Sequence, residues 1–343
     1  MRYIDFRSDT VTQPTPAMRE AMYHAVVGDD VACDDPTVKQ FEMLGAEVLG
    51  KEKALFVASG TMGNLTAIMS HTRRGDEIIV GENSHIFLEE VAGASAVAGV
   101  SVRTLSFVND IPDAGQIERA IRSSDIHEPT TTLVCLENAL RCGRVVPKET
   151  MREIYEMAHA HGLMVHVDGA RIWNAATAQE LDVRELAQYC DSITCCISKG
   201  LCAPVGAILC GSEAFIARAR KMRKMLGGGM RECGILAAAG ICALNDMRGR
   251  LKTDHDNAKY LAKKLNEFDC ITVDESAVEI NMVFWNLDRP QEVCNALPGK
   301  LFERGIKICD PVRGADRQFR FLTNNDVSRE DIDYCLQQLR EIL

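Results

Sequence analysis

Apolar and polar positions between residues 54 and 210 alternate in a way that predicts strands separated by helices. Short apolar runs rich in β-branched residues predict strands, and the stretches that follow them have helical periodicity. Strands alternating with helices are typical of a mostly parallel, doubly wound sheet, so we predict an α/β fold. The predicted strands are residues 54–58, 77–81, 100–106, 131–137, 163–168, 192–197 and 205–210.

The pattern differs at both ends of the chain. Residues 6–15 are polar and predict a loop. A helix over residues 232–247 is predicted to leave the first domain, and the order then becomes helix, strand, strand, helix, strand, helix. We therefore predict a large domain of residues 1–250, including the N-terminal segment, and a small α+β domain of residues 251–343.

Composition excludes several classes of protein. The net charge of −10 and the lack of a basic stripe argue against a nucleic-acid binder. No apolar run approaches the roughly 20 residues of a transmembrane helix, and the first residues lack the apolar core of a signal peptide. The 14 cysteines show no C-x-x-C spacing, which favours free thiols in a reducing compartment. We expect a cytoplasmic protein with a small-molecule substrate and no metal.

Lys199 is the first candidate for chemistry. The apolar strand at residues 192–197 runs straight into it, so the lysine lies at the edge of a core. A partly desolvated lysine amine is a nucleophile toward carbonyls and the usual anchor of pyridoxal phosphate (PLP). Pro204 and Gly206 then predict a turn in which the backbone can approach a ligand closely. The alternative is a lysine that extends to water, and Lys199 alone does not decide between them.

Other polar residues follow neighbouring strands, where open α/β sheets bind ligands. Asp168 can pair with a pyridinium nitrogen, or it can cap a helix. Gly60 and Thr61 open a helix whose N-terminus suits an anion, or they belong to an ordinary capped helix. His85 can stack on a planar cofactor or move protons, or it is a polar surface residue. Together with Lys199, these residues favour a cofactor site.

The chain resembles the low-specificity L-threonine aldolase family. That family belongs to the aspartate-aminotransferase-like (fold type I) group of PLP enzymes, and the resemblance covers nearly the whole chain in the family's order. The matching stretches are Arg7-Ser8-Asp9-Thr10-Val11-Thr12, Val27-Gly28-Asp29-Asp30-Val31, Asp35-Pro36-Thr37, Ser59-Gly60-Thr61-Met62-Gly63-Asn64, Ser84-His85-Ile86, His166-Val167-Asp168-Gly169-Ala170-Arg171, Ser198-Lys199-Gly200-Leu201, Leu226-Gly227-Gly228-Gly229-Met230-Arg231 and Asp326-Val327-Ser328-Arg329.

The resemblance implies a role for each candidate. Lys199 is similar to the Schiff-base lysine, Asp168 to the pyridinium partner, and His85 to the ring that stacks on the cofactor. The residues implied to bind the cofactor are Gly60, Thr61, His85, Asp168, Arg171, Lys199, Lys224 and Arg231. The residues implied to hold the substrate carboxylate are Ser8, Arg171 and Arg320.

The resemblance also implies a homotetramer built from dimers that share active sites. Lys224 and Arg231 match basic residues that reach a neighbouring subunit's cofactor. Judged by the residues alone, both would be assigned to a solvated helix face.

One segment departs from the family pattern. After Asn138 the family continues Thr-His-Asn, whereas this chain reads Ala139-Leu140-Arg141 and is about two residues shorter. Leu140 falls where the family has a second active-site histidine near the substrate hydroxyl. We therefore expect aldol cleavage to survive, with weak discrimination among β-hydroxy amino acids.

The implied reaction is cleavage of L-threonine or L-allo-threonine to glycine and an aldehyde, a carbon–carbon lyase reaction of amino-acid metabolism. Either His85 or a bound water is expected to act as the base. The alternative is another PLP reaction of a small amino acid: β-elimination, racemisation or transamination. A nucleotide-binding module is a third reading, but no G-x-G-x-x-G follows any predicted strand.

Overall fold

The computed structural model describes residues 2–343, which form helices and strands in alternation through the first two-thirds of the chain. The strands are β1 (Ile4–Asp5), β2 (Lys53–Val57), β3 (Glu77–Gly81), β4 (Ser101–Leu105), β5 (Thr131–Glu137), β6 (Met164–Asp168), β7 (Ser192–Cys196), β8 (Ala207–Gly211), β9 (Ile271–Val273), β10 (Met282–Leu287), β11 (Ile306–Lys307) and β12 (Gln318–Leu322). The helices are α1 (Pro16–Tyr23), α2 (Pro36–Leu49), α3 (Gly60–His71), α4 (His85–Leu88), α5 (Ala114–Ala120), α6 (Lys148–Ala160), α7 (Ile172–Ala178), α8 (Val183–Ala187), α9 (Glu213–Met225), α10 (Gly234–Cys242), α11 (Leu251–Leu265), α12 (Gln291–Phe302) and α13 (Arg329–Ile342).

A central sheet carries the strand order β2-β8-β7-β6-β5-β3-β4. Strand β8 is antiparallel to both of its neighbours, and the remaining neighbours pair in parallel. The predicted mostly parallel sheet is therefore confirmed. Because β6 lies between β5 and β7, the carboxyl ends of these three strands meet at one edge of the sheet.

Two neighbouring strands inside this sheet, β7 and β8, are buried along their whole length. Every residue of β7 and β8 is buried, as expected for strands that helices cover on both faces. The unbroken apolar and β-branched run before Lys199 is thus the sequence of a central strand. This burial fixes the direction in which the chain leaves the sheet at Ser198.

A separate antiparallel sheet, in the order β12-β10-β9, lies in the C-terminal part of the chain. It packs its apolar face into a cluster that includes Trp285 and Phe319, whose stacked rings lie 4.7 Å apart. Ile4 and Phe6 belong to the same cluster. We propose a domain boundary near residue 250, and this separate hydrophobic cluster in the C-terminal part supports it.

The structure differs from the predicted elements in two places. Strand β1 was not predicted: it pairs with β11 through Ile4 and Ile306, a contact that a two-residue local pattern does not reveal. The helix predicted over residues 232–247 ends earlier, because α10 stops at Cys242 and Ala243–Met247 forms a wider π turn.

Two expectations from composition can be compared with residues 2–343. All 14 cysteines are free there, and most of them are buried. In the same part of the chain, the helices are all too short or too polar to cross a membrane.

Candidate active site

A cavity of about 340 Å³ lies at the carboxyl ends of β6 and β7, between them and the start of α3. The predicted residues that line it are Gly60, Thr61, His85, Asp168 and Lys199. These residues come from four separate parts of the chain, and the sheet brings them together. Ser8, Arg171, Arg320, Lys224 and Arg231 do not line it.

Lys199 is held at the cavity through its backbone. Its carbonyl oxygen accepts a hydrogen bond from the Thr12 hydroxyl at 2.8 Å and another from the Cys202 amide at 2.9 Å. The chain then returns to the sheet at Gly206, where φ is +103° and an added Cβ would lie 2.5 Å from the Phe56 ring. This turn requires glycine, and Lys199 lines the cavity together with the first residues of α3.

Asp168 is buried at the end of β6 and both of its oxygens accept hydrogen bonds. Oδ1 accepts from the Ala170 amide at 3.0 Å, and Oδ2 accepts from Asn64 Nδ2 at 2.8 Å. Helix α7 begins only at Ile172, with Arg171 at its N-cap, so Asp168 is not the N-cap of that helix. Its carboxylate is therefore fixed in orientation beside the cavity.

His85 begins α4 and is held at both its backbone and its ring. Its amide donates to Glu137 Oε2 at 2.7 Å, and its Nδ1 lies 2.9 Å from Glu90 Oε1. The Glu90 hydrogen bond raises the pKa of His85, although partial burial opposes it. Glu137 itself is buried, and that burial together with the charge of Asp168 raises the pKa of its carboxyl to about 7.

The start of α3 provides backbone donors to the cavity. Ser59 is the N-cap, and its hydroxyl oxygen accepts from the Met62 amide at 3.1 Å. The first amides of a helix have no partner within the helix, so those of Gly60 and Thr61 suit an anion. A Cβ at Gly60 would lie 2.8 Å from Cys196 Sγ, which explains why a residue without a side chain stands here.

Two arginines near the cavity differ in their contacts. Arg171 binds the buried Asp9 carboxylate at 2.6 and 2.9 Å. Burial alone would raise the pKa of Asp9, but the charge and hydrogen bonds of Arg171, with the Lys199 charge and the Asn281 hydrogen bond, together outweigh burial and lower the pKa. Arg320, on β12, has no hydrogen-bond or ion-pair partner within residues 2–343, and burial followed by repulsion from Arg171 lowers its pKa. Ser8 lies next to Asp9, with its Oγ 3.4 Å from Oδ1.

Comparison with known proteins identifies the family. Residues 5–288 match the model of a family described as beta-eliminating lyase. The low-specificity L-threonine aldolase of Escherichia coli K12 is 43% identical, over 96% of this chain and 96% of that protein. Low-specificity L-threonine aldolase 1 of Arabidopsis thaliana is 43% identical, over 98% of this chain and 96% of that protein.

The chain belongs to the low-specificity L-threonine aldolase family. A solved structure of the threonine aldolase of Leishmania major matches 99% of this chain and 100% of its own, with a TM-score of 0.83 at 20% identity. The predicted family and the predicted fold type I architecture are both confirmed.

The two basic residues that resemble the family's subunit-bridging cations lie outside the cavity of one chain. Lys224 is in the last turn of α9, with its side chain against Gly229. Arg231 is exposed and forms an ion pair with Asp29. Their roles in the family pattern stay predictions.

Leu140, expected from the resemblance to stand where the family has a histidine, is buried and lies in a tight turn. Its amide donates to the Arg144 carbonyl at 2.9 Å, and its carbonyl accepts from the Gly143 amide at 2.9 Å. Leu140 lines a smaller apolar cavity together with Glu137, and not the cavity that contains Lys199.

Sequence reasoning assigned no role to four polar residues that hold the predicted ones in place: Asp9, Asn64, Glu90 and Glu137. Asp9 and Asn64 lie inside the stretches that resemble the family, which was the available signal. Glu90 and Glu137 gave none, because their contacts depend on how distant segments pack.

Proposed function

We propose that this protein is a PLP-dependent lyase that cleaves L-threonine or L-allo-threonine into glycine and acetaldehyde. The observation that carries the proposal is 43% identity to two low-specificity L-threonine aldolases over nearly their full length. The family is PLP-dependent and its members are carbon–carbon lyases, which confirms the predicted cofactor and class of enzyme.

The residues around the cavity fit PLP. The cofactor has an aldehyde, a ring nitrogen and a phosphate, and each finds a suitable group there. Lys199 offers an amine for the aldehyde, Asp168 a carboxylate for the nitrogen, and the start of α3 offers free amides for the phosphate. Because a Cβ at Gly60 would lie too close to Cys196 Sγ, residue 60 places no side chain at this helix start, where the anion would bind.

When bound, PLP accepts the electron pair left on the α carbon when the bond from the α to the β carbon breaks. Asp168, fixed by its two hydrogen bonds, keeps a proton at the ring nitrogen. His85 would stack on the ring, with its imidazole oriented by Glu90. Protein groups thus keep the ring protonated and in place throughout the reaction.

The substrate carboxylate is assigned to Arg320, with Arg171 and Ser8 beside it. The side chain of Arg320 is a partly buried cation without an anionic partner in residues 2–343, and a carboxylate supplies one. Arg171 is already neutralised by Asp9, which favours an orienting role for it.

A base must take the proton of the β-hydroxyl as the aldehyde leaves, and a proton must then reach the α carbon to give glycine. His85 and a bound water are the two candidates. The raised pKa of His85 increases the fraction that already carries a proton, which favours the water.

Chemical labelling tests where the cofactor is attached. Borohydride reduction of the PLP-loaded protein, followed by peptide mapping, should place the cofactor on Lys199. Label on another lysine, such as Lys224, would overturn this assignment.

A second reaction of the same cofactor, β-elimination, is favoured by two observations. The matching family model is described as beta-eliminating lyase, and the resemblance implies that the segment around Leu140 lacks the family's histidine, while Leu140 itself does not line the cavity. An amino-acid panel assayed for both products separates the reactions, because aldol cleavage releases an aldehyde and β-elimination releases a keto acid.

We further propose a cytoplasmic homotetramer in which pairs of subunits share active sites. Free thiols at all 14 cysteines suit a reducing compartment. Large apolar side chains at Tyr23, Val26 and Met225 are exposed on the single chain, which supports burial against another copy.

A further inference from the structure

Asn64 lies at the centre of a buried polar network in the wall of the cavity, which Asn64, His85 and Asp168 all line. Its Nδ2 donates one hydrogen bond to Asp168 Oδ2 and one to Glu90 Oε1, both at 2.8 Å. The same Glu90 oxygen lies 2.9 Å from His85 Nδ1. The Asn64 amide therefore connects Asp168, which is assigned to the ring nitrogen of PLP, with His85, which is assigned to the face of the ring.

The other end of Asn64 continues this network across the sheet. Because its nitrogen faces two carboxylates, its oxygen must accept, and His166 Nε2 donates to it at 3.1 Å. His166 Nδ1 then accepts from the Ser192 hydroxyl at 2.9 Å, whose oxygen accepts from His71 at 2.7 Å. In each of these hydrogen bonds, from His71 through Ser192 and His166 to Asn64, one atom is the donor and the other is the acceptor.

The charges in this network explain why an amide stands at its centre. One ring nitrogen of His85 and one carboxylate oxygen each of Glu90 and Asp168 all lie within 4.8 Å of one another. The two buried carboxylates are therefore close neighbours. Burial lowers the pKa of His166 to about 3, so that ring is neutral and supplies no compensating charge. The two N–H groups of Asn64 are the donors placed between the carboxylates.

We propose that Asn64 is a positioning residue that orients Asp168 toward the ring nitrogen of bound PLP and, through Glu90, orients His85 over the ring. The inference rests on the proposed function, since it requires the cofactor. Aspartate at this position would replace both donors with acceptors, and alanine would remove them.

Variants of Asn64 test the proposal, with Thr66→Val as the matched control. Thr66 lies in the same helix and is equally buried, but its hydroxyl has no partner within residues 2–343 and is outside the network. We expect Asn64→Ala and Asn64→Asp to lower kcat for L-threonine roughly ten- to a hundredfold, the size of hydrogen bonds to charged groups. KM should change little, because the substrate carboxylate is bound elsewhere.

Two further readouts separate positioning from a merely structural role. In both Asn64 variants PLP should bind at least about tenfold more weakly, and the absorption maximum of the bound cofactor should move to shorter wavelength as the ring nitrogen loses its proton. Thr66→Val should match the wild type in spectrum, affinity and kcat. A lower melting temperature in the Asn64 variants, with unchanged spectrum and kcat, would overturn the proposal.

His166 provides a second test if the Asn64 variants do not fold. His166→Gln keeps a donor near the position of Nε2, whereas His166→Met removes it. We expect the Gln variant to retain most of the wild-type spectrum and kcat and the Met variant to lose them. Equal behaviour of the two would overturn the proposal. Failure of the wild type itself to bind PLP would overturn the proposed function, and this inference with it.

Discussion

At the scale of single residues, the two arginines assigned to the substrate carboxylate are not equivalent. Arg171 is saturated by Asp9, whereas the side chain of Arg320 has no partner within residues 2–343. A buried charge without a partner is costly until an anion binds. We therefore propose Arg320 as the main anchor of the substrate carboxylate, with Arg171 in an orienting role.

Asp168→Ala should keep part of its PLP and lose most of its catalysis. The neutral ring that remains is a poor electron sink, so kcat for L-threonine should fall by roughly a hundredfold or more. Cofactor content and kcat measured on the same preparation check this. Near-normal turnover would mean that Asp168 serves only to hold Ala170 and Asn64.

Leu140 should weaken the discrimination between β-hydroxy amino acids. Leucine cannot hydrogen-bond a hydroxyl, and a site that does so rejects other substrates far better than an apolar surface does. The ratio of kcat/KM between L-threonine and L-allo-threonine should stay below roughly a hundredfold, and phenylserine should be cleaved. Leu140→His is the matched variant and should leave the ratio unchanged, because residue 140 does not line the cavity that contains Lys199. A wild-type ratio above that size would show that another residue recognises the hydroxyl.

The sequence was sufficient to predict the residues that end strands. Lys199 and Asp168 each follow a run of apolar residues that can only be a buried strand, so their position at one edge of the sheet was predictable. No local pattern indicated the contacts of Asp9 and Glu90, because Asp9 binds Arg171, 162 residues later, and Glu90 binds Asn64 as well as the nearby His85.

At the scale of elements, the arrangement of the site depends on a few local signals. Ser59 starts α3 directly after β2, which places the free amides of that helix at the cavity. Strand β1 carries no such signal, since only its partner β11, some three hundred residues later, makes it a strand. Local patterns therefore predicted the central sheet better than they predicted the contact between the two ends of the chain.

The cap of α3 should contribute to both stability and cofactor binding. Ser59→Ala should lower the free energy of unfolding by about 1 kcal/mol, the usual cost of losing an N-cap, and should weaken PLP binding. Ser212→Ala is the control, because Ser212 caps α9 through the Phe215 amide at 3.2 Å and does not line the cavity. Denaturant unfolding and PLP titration of both variants check this. Equal effects of the two on PLP affinity would contradict the assignment of the cradle.

At the scale of the whole molecule, the single chain leaves two predicted cations away from the cavity. Lys224 and Arg231 flank the three consecutive glycines at 227–229, an exposed place for basic residues. The proposed sharing of sites between subunits would account for them, and the exposed apolar side chains of Tyr23 and Met225 are consistent with such a contact.

Mixing two inactive variants should restore activity. If each site uses Lys199 of one subunit and Arg231 of another, a hybrid of Lys199→Ala and Arg231→Ala contains one site with both residues intact. After subunit exchange, activity should rise to part of the wild-type level, because only hybrid dimers contain an intact site. Continued inactivity despite demonstrated exchange would mean that each subunit completes its own site.

The most direct measurement of the central claim is the product balance from L-threonine. The PLP-loaded protein should release glycine and acetaldehyde in equal amounts, and Lys199→Ala should release neither at a comparable rate. Formation of 2-oxobutanoate and ammonia without glycine would contradict aldol cleavage, and full activity of Lys199→Ala would contradict the role of Lys199.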